Sequence, residues 1–194
     1  QCLGQGARVG TASLRRKAQI LQARPDLDIA PLRGNIGTRL AKLSPDTVAA
    51  TVLAMAGLNR MGYTGPDWQA LAPNIMLPAA GQGALAVQCR ADDAKLIAQL
   101  AVLDDVGTRA CVTAERSFLA ELDGSCRTPI AALAIPDPEN AQTALLQGRL
   151  LADDGTEFVE NTCRFDPADL EAAGAAGEQL AAELRARAPH LVTA

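Results

Sequence analysis

The sequence predicts two units: a wound α/β fold with a parallel or mixed sheet, then a smaller α+β unit with a three-stranded antiparallel sheet and helices. Three observations carry this. Short apolar stretches alternate with helix-spaced ones over residues 7–60. An apolar run over 48–56, interrupted only by Thr51, fits a strand covered on both faces, as parallel sheets require. After residue 129 the pattern changes to three strand-like stretches, the last two joined by Asp153-Asp154-Gly155, a hairpin turn signal.

Taken in order, residues 7–9 form a short strand candidate leading into "GTASLRRKAQILQAR", where Leu14, Ala18 and Leu21 recur at helical spacing and Pro25-Asp26 closes the helix. Leu27 and Ile29 alternate as in a strand, Gly34 and Gly37 mark a turn, and Ile36, Leu40 and Leu43 mark a short helix. The apolar run supplies a third strand. In "LPAAGQGALAVQCR", Gly81-Gln82-Gly83 lies among small residues and precedes a strand over 84–89, so this segment reads as a hinge between units. Helices over 92–103 and 108–122 follow, the second with Cys111, Ala114, Phe118 and Leu122 on one face. Strands are expected at 129–135, 143–152 and 157–164, and a closing helix from Asp166-Pro167, with Asp169 three residues after its cap.

Composition excludes several classes of function. With 48% hydrophobic residues the chain can bury a substantial core, while 3% aromatics leave few platforms for stacking bases, and a net charge of −4 opposes nucleic acid as a partner. No apolar run is long enough to span a bilayer, and residues 1–20 lack the pattern of a signal peptide, so a cytoplasmic location, or a plastid stroma in an organelle, is expected without membrane attachment. Five scattered cysteines without a C-x-x-C pair argue against a disulfide framework or a metal site. The one histidine, His190, lies in the tail, so no catalytic triad has a placed base.

Three arginine-bearing turns follow the predicted parallel strands, whose ends share the edge where ligands collect in wound sheets. They carry Arg15 and Arg16, then Arg33 and Arg39, then Arg60. Thr11, Ser13 and Thr38 add hydroxyls at helix starts, where free N–H groups favour an anion. Five converging guanidinium groups imply a ligand with several carboxylates or phosphates. The alternative for each is a solvated helix residue paired with a nearby Asp or Glu. Among the cysteines, Cys89, Cys111 and Cys163 read as core and Cys2 is terminal. Cys126 differs. It sits in "ELDGSCRTPI", opened by Gly124 and Ser125 and followed by Arg127, a setting that favours a thiolate.

The segments "VGTASLRR", "LRGNIGTRL", "LPAAGQGALAVQCR", "TAERSFLAEL" and "DGSCRTPIA" resemble, in order and spacing, the porphobilinogen deaminase (hydroxymethylbilane synthase) family, strongly over residues 7–135 and weakly beyond. The resemblance implies a transferase of tetrapyrrole (heme and chlorophyll) biosynthesis that condenses four porphobilinogen molecules into hydroxymethylbilane with release of ammonia. It implies a dipyrromethane cofactor held by a thioether to Cys126, a cofactor side formed by Thr11, Ser13, Arg15, Arg16 and Arg39, and a substrate side formed by Arg33, Asn35, Arg60, Gln82, Gly83 and Arg116. The family's fold is similar to two-lobed periplasmic-binding proteins, and its members are usually monomeric. It also implies a further N-terminal domain bearing the catalytic aspartate, which a chain beginning at Gln1 lacks. On that expectation no catalytic residue lies in this chain, the chain alone is inactive, residues 1–83 are an incomplete α/β domain, 84–104 a crossover belonging with the absent domain, and 105–194 the cofactor-bearing α+β domain. Two other readings stay open from the residues alone: a non-catalytic α/β module binding polyanions or carboxylates, and a thiol-dependent hydrolase using Cys126, weak for want of a histidine base.

Overall fold

Three short parallel strands, β1 (Arg8–Gly10), β2 (Asp28–Ala30) and β3 (Ala50–Thr51), form a sheet in the order β2-β1-β3 in the computed structural model, which describes residues 3–44, 47–64, 67–123 and 128–192. The parallel winding expected from the alternating pattern is therefore present. Helix α1 (Leu14–Ala23) connects β1 to β2, capped by Ser13, whose hydroxyl accepts the Arg16 N–H, and stopped before Pro25. Helix α2 (Ile36–Leu40) follows β2, with the Asn35 side chain as its cap.

The apolar run over 48–56 is not one strand. It pairs with β1 only at Ala50–Thr51, and helix α3 (Met55–Arg60) begins inside it, with Leu58 buried. Ala, Met and Leu favour helix, and an apolar run alone does not separate the two conformations. Nor is there a strand over 84–89: the segment is irregular, Leu85 is 98% exposed, and Cys89 is half-buried outside any sheet. A short apolar run forms a strand only where a partner edge receives it, and no described strand pairs with these residues.

Helix α4 (Ala94–Leu100) runs on through a 3₁₀ turn at Ala101–Leu103, and helix α5 (Val106–Glu121) starts two residues earlier than its periodicity implied because Asp105 caps it, accepting the Thr108 N–H at 2.7 Å. The three expected later strands are β4 (Ile130–Pro136), β5 (Ala144–Leu151) and β6 (Phe158–Phe165), antiparallel in sequence order. Gly155, at φ +73°, makes their hairpin turn. Helix α6 (Leu170–Arg187) begins three residues after the place the Asp166-Pro167 signal indicated. Asp169, not Asp166, caps it by accepting the N–H groups of Glu171 and Ala172, while Asp166 holds the turn before it through the Ala168 N–H. His190 does not hang free in the tail, since its ring bonds the Glu157 carboxylate at 2.9 Å.

Helices α5 and α6 cover one face of this second sheet, and the core is built of Ala110, Ala114, Phe118, Leu146, Leu150, Leu180 and Leu184, all almost fully buried. Cys111 belongs to it, as its helical face implied; Cys163 packs half-buried against it from β6. The helices touch at Gly177: a Cβ there would lie 2.3 Å from the Ala114 carbonyl oxygen and 2.8 Å from the Phe118 nitrogen. Both are backbone atoms and cannot swing away. Gly177→Ala is expected to destabilise by about 3 kcal/mol, read as a lower urea midpoint at unchanged slope; a loss under about 1 kcal/mol would show that the helices can part at little cost.

Candidate functional site: the arginine edge

Because the three strands of the first sheet are parallel, their carboxyl ends, Gly10, Ala30 and Thr51, lie side by side, and the turns that follow leave from one edge. Thr11 is buried there: its N–H donates to the Ala30 carbonyl at 2.9 Å and its hydroxyl oxygen accepts the Ser13 N–H at 3.2 Å. These bonds fix the first turn of α1 and with it Arg15 and Arg16.

Arg15 is buried. Its guanidinium donates to the Leu77 carbonyl and, at 3.3 Å, to the Gln82 side-chain oxygen. Arg16 reaches across the edge to the Val52 carbonyl at 2.7 Å, just beyond β3. Asn35 caps α2 by accepting both the N–H and the hydroxyl of Thr38, and Arg39 folds back on the Gly34 carbonyl at 2.7 Å. Arg33 lines a shallow cleft of about 250 Å³ together with Thr11, Ser13 and Lys17.

Electrostatics tie these groups together. Burial, helped by the neighbouring Arg16, pushes the Arg15 pKa down to about 10; burial, helped by Arg39, also lowers that of Arg16. Three cations thus feel one another. Elsewhere arginines face carboxylates: Arg8 with Asp28, Arg24 with Asp26, Arg109 with Asp104, Arg149 with Glu160, Arg164 with Asp137, Arg185 with Glu121. Arg15, Arg16, Arg33, Arg39, Arg60 and Arg116 make no ion pair among the described residues. For Arg15 and Arg16, which are not exposed, the solvated-pair alternative therefore fails, whereas exposed Arg33, Arg60 and Arg116 lack only the carboxylate partner. Cations clustered at a buried edge without counter-charge favour an anionic ligand.

Not every expected residue joins the cluster. Arg60 is exposed in the last turn of α3, Arg116 is exposed on α5, and neither hydrogen-bonds to a described residue; Gly83 is exposed in the turn after Gln82. Cys126 and Arg127 lie outside the described residues, as does Cys2.

Two residues the sequence did not single out hold the site's far wall. Gln19, one helical turn after Arg15, accepts the Leu77 N–H at 2.8 Å and donates to the Leu77 carbonyl at 3.0 Å. Glu115, buried on α5, accepts the N–H groups of Gly81 and Ala134, so it ties the Gln82 turn to β4, and burial raises its pKa. The signals were slight: i, i+4 spacing from Arg15 for one, adjacency to Arg116 for the other. No cluster of three or more His, Cys, Asp or Glu suited to a metal occurs among the described residues, and none of the described helices is long and apolar enough to cross a membrane.

Residues 1–98 match the family model described as "Porphobilinogen deaminase, dipyromethane cofactor binding domain", and residues 109–186 the one described as "Porphobilinogen deaminase, C-terminal domain". A protein named porphobilinogen deaminase from Paracoccus denitrificans (strain Pd 1222) is 49% identical over 188 residues, covering 96% of this chain and 58% of its own length. One of the same name from Brevibacillus brevis (strain 47) is 47% identical over 191 residues, 94% of this chain and 61% of its own. The chain spans less than two thirds of the length of these relatives.

Proposed function

Since the chain belongs to the porphobilinogen deaminase family, we propose that its arginine edge holds the carboxylates of a dipyrromethane and of the pyrrole chain growing from it, within an enzyme that condenses four porphobilinogen molecules into hydroxymethylbilane. The observation that carries this is the set of arginines left without carboxylate partners. Each pyrrole unit brings an acetate and a propionate, so the ligand supplies the missing counter-charge. When bound, the dipyrromethane supplies the free pyrrole carbon at which the next unit is joined.

The chain's own residues bind and orient. Arg15, Arg16 and Arg39 converge on the cofactor side, with Thr11 and Ser13 fixing the turn beneath them. Arg33, beside them in the cleft, receives substrate carboxylates, and Arg60 and Arg116 act on the lengthening chain as it moves outward, with Asn35 presenting α2 and Gln82 and Gly83 forming the pivot. Burial of Arg15 and partial burial of Arg16 and Arg39 strengthen their pairs by excluding water. At about 10, the Arg15 pKa still leaves that group cationic at neutral pH. Cys126 is assigned as the thioether anchor. No catalytic carboxylate is assigned to this chain; the family resemblance implies that an aspartate elsewhere in the whole enzyme supplies it. We further divide it into residues 1–83, part of a periplasmic-binding-protein-like lobe, a crossover over 84–104, and a C-terminal unit over 105–194. Exposed Leu85, Val87 and Val102 support the crossover's packing on another unit of the whole enzyme. A cytoplasmic or stromal compartment suits the chemistry.

The test is to give full-length protein porphobilinogen and follow ammonia and pyrrole products. One ammonia per pyrrole joined, with a linear tetrapyrrole, is expected. Saturable binding without consumption would instead support a carboxylate-binding module.

A further inference from the structure

The β5–β6 hairpin of the second unit is keyed into helix α1, which carries Arg15. Its turn residue Gly155 lies so close that a Cβ would come within 2.5 Å of the Ala18 carbonyl oxygen and the Gln22 nitrogen. One strand further in, Arg149 is buried, donates to Glu160 at 2.8 Å and sends its remaining arm to the Gln19 side-chain oxygen at 3.1 Å. Gln19 is itself buried. Its oxygen meets only donors, from Arg149 and the Leu77 N–H, and its nitrogen meets only acceptors, the carbonyls of Leu77 and Arg15. The amide consequently has one orientation, since turning it over would set N–H against N–H and oxygen against oxygen. Leu77 in turn presents the carbonyl on which the Arg15 guanidinium rests.

We infer that Arg149 and Gln19 are positioning residues that set the aim of Arg15 from the C-terminal unit, through a relay running Glu160, Arg149, Gln19, Leu77, Arg15. Neither residue touches the ligand. A buried chain of fully satisfied hydrogen bonds is stiff, and losing one member leaves the others without partners. The cationic edge is thereby tied to the β5–β6 hairpin of the second unit. The inference rests on the proposed function for its ligand, but not for the relay.

The experiment compares Arg149→Met, Arg149→Lys and, as a control, Arg164→Met in full-length protein. Arg164 lies in β6 of the same sheet and pairs with Asp137, away from α1. Two quantities are read: hydrogen exchange at the Leu77 amide, and KM separately from kcat for porphobilinogen. Arg149→Met should raise Leu77 exchange about tenfold and KM about tenfold with kcat changed less than about threefold, Arg149→Lys should recover part of both, and Arg164→Met should change neither. If Arg149→Met does not fold, Gln19→Glu carries the test. Its carboxylate keeps both acceptor contacts and loses both donors, so KM should rise while the Leu77 amide stays protected. A Leu77 amide still protected in Arg149→Met, or an unchanged KM in either variant, overturns the relay. Exchange at Leu77 needs no pyrrole, so failure of the deaminase reading, seen as wild-type protein that consumes no porphobilinogen, is distinct from failure of the relay.

Discussion

Replacing Arg16 with leucine in the full-length protein should lower kcat/KM for porphobilinogen by about 10²–10³-fold while leaving the melting temperature unchanged or higher. Both signs come from one fact. Arg16 has a single described protein partner, the Val52 carbonyl, and its charge is opposed by Arg15 and Arg39. The cost of burying that charge beside two others offsets its one hydrogen bond, so folding is little changed or relieved when it is removed, whereas an anionic ligand loses a desolvated donor. A residue kept only for stability would behave in the opposite way, with a lower melting temperature and an unchanged kcat/KM. Raised salt should weaken wild-type binding and weaken the Arg16→Leu protein less, because fewer charges are being matched.

The second large effect is at Cys126. Cys126→Ser should leave the protein without any pyrrole adduct and lower turnover by at least about 10³-fold, since the thiolate is the nucleophile and a serine hydroxyl is scarcely ionised at neutral pH. Cys111 and Cys163 offer no substitute. Cys111 is buried and its pKa is raised by burial and by Glu115; that of Cys163 is raised by burial and by Glu183. An adduct in Cys126→Ser on either of them would show that the anchor is misassigned.

The fold was legible wherever local chemistry and tertiary demand agreed. Ser13 opens α1 as its hydroxyl implied, the Asp153-Asp154-Gly155 turn requires a positive φ, and the periodicity of α5 marks the core face of the second unit, although its cap Asp105 was not foreseen. It failed where the sequence offers two answers. The apolar run at 48–56 fits strand or helix, and Asp166 and Asp169 are both competent caps. The strand expected at 84–89 needs a partner that the described residues do not provide. At the site, strand-end turns revealed Arg15, Arg16, Arg33 and Arg39, because topology alone brings them to one edge. Gln19, Glu115 and Arg149 stayed hidden, since their roles depend on contacts between residues far apart in the chain: 130 positions separate Gln19 from Arg149.

The most direct measurement is the denatured mass and peptide map of full-length protein after exposure to porphobilinogen, for wild type and for Arg15→Leu/Arg16→Leu. Wild type should carry two pyrrole units on the peptide containing Cys126, and the double variant should carry few or none despite its intact thiol. Equal loading of both proteins, or an adduct on another cysteine, would contradict the claim that unpaired arginines gather the acidic pyrroles for that sulfur.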